Sequence, residues 1–265
     1  MTTANLTLAQ YRACKGMNWS ALKHYGHSPA HYRAYILAPP KQTEDMQTGS
    51  ALHALVLEGE AVFAERYAVA PAGIDRRKKE GKEAWAAFME EHGDKEHLSA
   101  EQDGAIRAMA AAIAAHPAAA RLLARCRERE KSIFWEDPAT GIFCKGRLDG
   151  YDPAAGLVLD LKTARDASPR GFARAAADLA YHGQAAFYLS GLAAGGADAR
   201  FVFVAVEKTP PFAVALYHID GDELAAGRQL AARYLDLHAQ CVATNDWPGY
   251  APDVQSLALP KWALT

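Results

Sequence analysis

The sequence predicts an α/β (α+β) fold in which one sheet carries packed helices. Three observations carry this. Half of the 265 residues are hydrophobic, enough for a substantial core. Up to about residue 128 the apolar spacing is helical. After Arg129 come short runs of alternating β-branched and aromatic residues, parted by turn sequences.

Element by element, Leu6 to about Leu37 reads as helical, broken at SPAHY, where Ser28 and Pro29 form an N-cap and first helical position. Gly49 to Leu57 reads as a second helix, followed by an extended piece around Phe63 to Val69 and a proline turn. Lys82 to His92 and the alanine-rich Ala100 to Cys126 read as helices. KSIFWED, GIFCKGRLDGYD and GLVLDLKT then predict an antiparallel meander with turns at DPATG and PAAG. A helix opening at Ser168-Pro169, another through HGQAAFYLSGLAA, strands at ARFVFVAVEK and FAVALYHID, and a long helix from about Asp222 to Ala243 complete the chain. The expected organisation is one domain over 1-265, with a mainly helical part at 1-128 and a sheet core with its C-terminal helix at 129-265.

Composition excludes several classes. No run of eighteen apolar residues occurs, and MTTANLTLAQYRAC lacks a signal-peptide layout, so a cytoplasmic protein with no membrane contact is expected. Cys14, Cys126, Cys144 and Cys241 are scattered singly and read as inert thiols, against a disulfide framework or a cysteine-rich metal site. A formal net charge of −2 is not the footprint of a protein that binds nucleic acid through bulk positive charge. Any such contact is local, and DRRKKEGK (75–82) is the one obvious basic cluster, otherwise a solvated helix start.

The chemistry concentrates in GRLDGYDPAAGLVLDLKTA, 146–164. An even-numbered loop at PAAG pairs residues whose numbers sum to 309, which sets Asp149 opposite Asp160 and Arg147 opposite Lys162. Period-two alternation then places these four on one face, with Leu148, Leu157, Leu159 and Leu161 on the other. Opposed carboxylates repel unless a cation lies between them. Two readings fit: an ion-pair cluster in which Arg147 and Lys162 neutralise the aspartates, or a divalent-metal site. In the second, Asp149, Asp160 and the Leu161 carbonyl supply oxygens, and Lys162 serves the attacking water or the developing phosphate charge.

GRLDG followed by LDLKT resembles the PD-(D/E)XK nuclease superfamily, in the form found in RecE-type (exodeoxyribonuclease VIII-like) exonucleases and, more loosely, in lambda-type exonuclease and RecB-like nuclease domains. NWSALKHYGHSPAHY, TGSALHALVLE, DRRKKEGKEAWAAF, EKSIFWEDPATGIFCKGRLDG, LDLKTARDAS, YHGQAAFYLSG and WPGY with LALPKWA are similar to segments of that family in the same order. The resemblance implies a restriction-endonuclease-like core with a mixed central sheet flanked by helices. It implies Asp149, Asp160 and His53 at the metal, Lys162 as the catalytic lysine, and Gln184 and Tyr188 orienting the site or touching the DNA backbone, with Tyr181 on the same helix face. Glu130 matches an acidic position and would complete a second metal site or be a surface charge. Arg76, Arg77 and Lys82 would touch phosphates at a channel entry.

The activity so implied is a Mg²⁺-dependent 5′ to 3′ exodeoxyribonuclease, with Mn²⁺ as a substitute, degrading one strand of linear double-stranded DNA to leave 3′ tails for strand annealing. The resemblance also implies a ring-shaped homo-oligomer, trimer or tetramer, and a RecT-like single-strand annealing partner in a bacterial or phage-encoded system. The alternatives are a single-strand or structure-specific nuclease of the same fold, and a non-catalytic DNA-end-binding module.

Overall fold

The turn between the two motif strands is built from its own residues. Asp152 Oδ1 accepts the Ala155 N–H at 3.1 Å, and Gly156 adopts φ +56°, where a Cβ would lie 2.3 Å from the Asp198 carbonyl oxygen. Only glycine fits that position. The computed structural model describes residues 1–39, 41–75 and 77–259.

The chain opens with β1 (Thr2–Ala4), α1 (Leu8–Ala13), α2 (Trp19–Leu22), a 3₁₀ turn (Lys23–Gly26) and α3 (Pro29–Leu37). Next come α4 (Glu44–His53), a π turn (Ala54–Glu58), α5 (Glu60–Arg66), β2 (Tyr67–Val69), α6 (Lys79–His92), β3 (Glu96–Leu98), α7 (Ala100–Ala115) and α8 (Pro117–Arg125). The second half holds β4 (Glu128–Glu136), β5 (Phe143–Asp152), β6 (Leu157–Ala164), α9 (Pro169–Asp178), α10 (Tyr181–Ala193), β7 (Arg200–Glu207), β8 (Val214–Ile219) and α11 (Gly221–Thr244). Six strands form one sheet in the order β1-β4-β5-β6-β7-β8. All neighbours are antiparallel except β6 and β7, whose parallel pairing needs the α9–α10 crossover. The sheet is therefore mixed and flanked by helices.

Two cores lie on its faces. One gathers α2, α3, α10 and α11 around Trp19, Leu22, Trp135, Phe187, Phe201 and Tyr234. The other gathers α4, α5, α7 and α8 around Leu52, Phe63, Ile106, Ile113, Leu159 and Leu161. Two α helices open as their sequences specify: Ser28 caps α3 before Pro29, and Ser168 caps α9 before Pro169.

Four expectations need correction. The N-terminal helical stretch is three short helices and a 3₁₀ turn preceded by β1, an edge strand paired with Ser132–Phe134; three residues are too few to show a period. The helix placed at Gly49 to Leu57 starts earlier, where Thr43 caps it, and passes into the π turn after His53. The piece around Phe63 is helical up to Arg66, with Phe63 buried in the core shared with α7; only Tyr67–Val69 is extended, paired in parallel with β3. Ala100 to Cys126 is two helices, since Pro117 forces His116 into an extended conformation.

Candidate active site

β5 and β6 pair at Gly150–Leu159, Tyr151–Val158 and Asp152–Leu157, the expected register, and no pair follows at Asp149 and Asp160. There the strands part, and the Asp149 carboxylate takes over the missing partner's role: its Oδ2 accepts the Leu161 N–H at 2.7 Å. The alternation of β5 also slips here. Leu148 joins the α10-side core, whereas a Cβ on Gly150 would meet Cys126 and Leu159 of the other core. Opposite the slip, Glu130 lies in the left-handed region at φ +49°, unusual for a residue with a Cβ.

This slip corrects the expectation that Arg147, Asp149, Asp160 and Lys162 share one face with all four leucines on the other. Asp149 turns toward α4 and Asp160 toward α10. His53 Nδ1 lies 3.5 Å from Asp149 Oδ2, and its Nε2 lies 2.8 Å from the Leu161 carbonyl oxygen. A carbonyl only accepts, so Nε2 carries the hydrogen and Nδ1 faces the carboxylate. That fixes ring and tautomer as a backbone acceptor does for a metal-ligating histidine. The Leu161 carbonyl, expected as a metal ligand, accepts from His53 and keeps a second lone pair.

His53, Glu130 and Asp149 each bring a ligand atom within 4.8 Å of the others, and among the described residues they form the one such group of three. Burial pushes the Asp149 carboxyl up to about 7, reinforced by the Asp160 and Glu130 charges and opposed by His53 and Lys162. An imidazole and two carboxylates converge on a common point with Arg147 on the Glu130 carboxylate, and the oxygen-rich set with one nitrogen suits Mg²⁺ or Mn²⁺. The residues fit a divalent cation.

On the α10 side the charges are already matched. Asp160 is 2% exposed; its Oδ1 accepts the Gln184 amide at 2.9 Å and its Oδ2 forms a close ion pair with Lys162. The Lys162 ammonium lies 4.9 Å from the Tyr181 ring centroid. Burial works against its charge, but Asp160, Asp149 and Tyr181 prevail and hold its pKa above the ordinary lysine value. Tyr188 is held far above the ordinary phenol range by burial and then by the charges of Tyr11, Asp160 and Asp149, so it stays neutral. Its ring packs on Gly146, where a Cβ would approach to 3.0 Å.

Sequence reasoning missed the partners of Arg147. Its Nε donates to Glu130 Oε2 and its Nη1 to the Leu6 carbonyl at 2.9 Å, while Nη2 lies 3.9 Å from Glu58. It thus neutralises Glu130 and Glu58, not the aspartates; position 147 was legible as charged, but the slip that redirects it was not. Lys23, in the quoted NWSALK segment, was also unassigned: it is half-buried, and burial together with the Lys162 charge lowers its pKa. Arg77 is exposed and bonds Asp75, Lys82 is exposed on α6, and Arg76 lies outside the described residues, as does LALPKWA from Pro260 onward. The cysteines carry no disulfide; Cys126 lies in one core and Cys144 and Cys241 in the other. No described helix is long and apolar enough to cross a membrane.

Residues 18–260 match the family described as "PDDEXK-like domain of unknown function (DUF3799)". A solved structure from Eubacterium rectale, described as a "Putative exonuclease", shares the fold at 14% identity and TM-score 0.66, covering 99% of this chain and 98% of that one. A second, SSO0001, is 18% identical over 57% of this chain and 69% of its own, with a TM-score of 0.31 that bears no weight. No curated protein matches. The fold is thus the PD-(D/E)XK-like one that the sequence implied.

Proposed function

This chain belongs to the PDDEXK-like family, and we propose that it is a divalent-metal-dependent nuclease. The observation that carries this reading is the His53–Glu130–Asp149 group beside the charged Asp160–Lys162 pair at the point where β5 and β6 part. His53, Glu130 and Asp149 would hold the ion, while Asp160, its oxygens taken by Gln184 and Lys162, holds the lysine beside it. Mg²⁺, or Mn²⁺ in its place, supplies there the activation of water and the neutralisation of phosphate charge.

The remaining work falls to the chain. Lys162, kept as an ammonium by the surrounding carboxylates, donates to the phosphoryl oxygens as charge builds on them. Gln184 fixes the Asp160 carboxylate and so the direction of the Lys162 ammonium. The neutral Tyr188 hydroxyl and the Tyr181 ring bound the floor of the site. Arg76, Arg77 and Lys82 contribute phosphate contacts.

The finer reading is 5′ to 3′ exonucleolytic degradation of one strand of linear duplex DNA by a RecE-type enzyme, leaving 3′ tails for a RecT-like annealing partner, in a ring-shaped oligomer. The ordered motif resemblance supports it, as does a fold shared with a protein described as a putative exonuclease. The test is digestion of linear duplex labelled at either end, alongside closed circles and single strands, in Mg²⁺ and in EDTA. Loss of the 5′ label from linear duplex alone, abolished by EDTA, is expected. Cutting of circles or preference for single strands would discard the polarity and the ring; cleavage unaffected by EDTA would discard the metal.

A further inference from the structure

We propose that Arg147 is a positioning residue whose guanidinium aims Glu130 at the metal centre; this rests on the metal-site reading above. Glu130 is the one member of the group whose backbone lies in the left-handed region. Such a backbone persists only where the surrounding structure holds the residue. Arg147 provides that hold, since its Nε engages Glu130 Oε2 and leaves Oε1 to serve as the ligand atom.

The hold is itself anchored. Arg147 is 9% exposed, and its Nη1 is fixed by the Leu6 carbonyl at 2.9 Å. Its Nη2 faces Glu58 at 3.9 Å, and Glu58 receives two bonds from Arg66, at 2.7 and 2.9 Å. The chain Arg66–Glu58–Arg147–Glu130 alternates in sign from α5, through the end of the π turn, to β4. That π turn begins directly after His53. A planar fork with three separately used nitrogens is required; a lysine ammonium on a flexible stem does not reproduce it.

The test is Mn²⁺ binding, read from the EPR signal of free Mn²⁺, for wild type, Arg147→Gln, Arg147→Lys, Glu130→Gln and the double variant Arg147→Gln/Glu130→Gln. Circular dichroism identifies folded protein, and Arg147→Lys replaces Arg147→Gln, alone and in the double variant, if the latter does not fold. Outer-sphere partners of metal ligands typically carry about 10- to 100-fold in affinity, so an Arg147 variant should bind Mn²⁺ about tenfold or more weakly. The same substitution should add less than about twofold once Glu130 is already glutamine, because the group it aims is gone. Unchanged affinity in a folded Arg147 variant overturns the proposal, and so does an equal loss in both backgrounds, which marks a general structural effect. Absence of Mn²⁺ binding by wild type overturns the metal-site reading and this proposal with it.

Discussion

The two sides of the site differ in how their charges are answered. On the α10 side, Asp160 has both oxygens engaged, by Gln184 and Lys162, and the set is complete as it stands. On the α4 side, Asp149 has the His53 ring at 3.5 Å and Glu130 in the same group, and the two nearby arginines go to the glutamates, Arg147 to Glu130 and Arg66 to Glu58. Removing a charge from the first side breaks a matched pair; removing one from the second relieves a repulsion. The difference locates the place for a cation within a cluster that the sequence presents as a single face.

Asp160→Asn should therefore be the most damaging to stability. It leaves the Lys162 ammonium buried without its partner, a loss of about 3–5 kcal/mol, read by denaturant unfolding in EDTA. Lys162→Met should lower kcat by about 10²–10³-fold, as for loss of one preorganised donor to a charged transition state, with duplex binding retained in a gel-shift assay.

Asp149→Asn should act in the opposite sense, raising the stability of the metal-free protein at neutral pH while abolishing metal binding. The sign follows from linkage. The Asp149 carboxyl is raised to about 7, so the native state holds its proton more tightly than the unfolded chain, whose aspartate titrates near about 4. Metal-free stability is then fullest below about pH 4 and falls as pH rises toward 7. Metal binding displaces that proton, so Mn²⁺ affinity should climb through the same window and level off above it. Unfolding curves at several pH values, with and without Mn²⁺, check both trends; equal pH dependence in wild type and Asp149→Asn would break the contrast. The smallest effect is expected for Gly146→Ala, which pushes against the Tyr188 ring and should cost about 1–3 kcal/mol while leaving Mn²⁺ affinity on the α4 side within about twofold.

Much of this architecture was legible in the sequence because its signals are local. The PAAG turn and the leucine alternation set the β5–β6 register, Ser28-Pro29 and Ser168-Pro169 mark two helix starts, and the two-residue spacing of Asp160 and Lys162 puts them side by side. The parting of the strands was not legible. It coincides with a left-handed backbone at Glu130, across the sheet from Asp149, whose side chain meets Arg147 rather than any neighbour in sequence. The same non-local origin hid β1, the turning of the two aspartates toward different helices, and the engagement of the Leu161 carbonyl by His53.

The central claim is that the α4 side is built for a divalent cation, and heat unfolding of wild type and Asp149→Asn with and without saturating Mn²⁺ tests it most directly. A ligand bound at 100 times its Kd stabilises by about 2.7 kcal/mol. Wild type should therefore show a clear rise in Tm with Mn²⁺ and the variant none. An unshifted wild type, or an equal shift in both proteins, would contradict it.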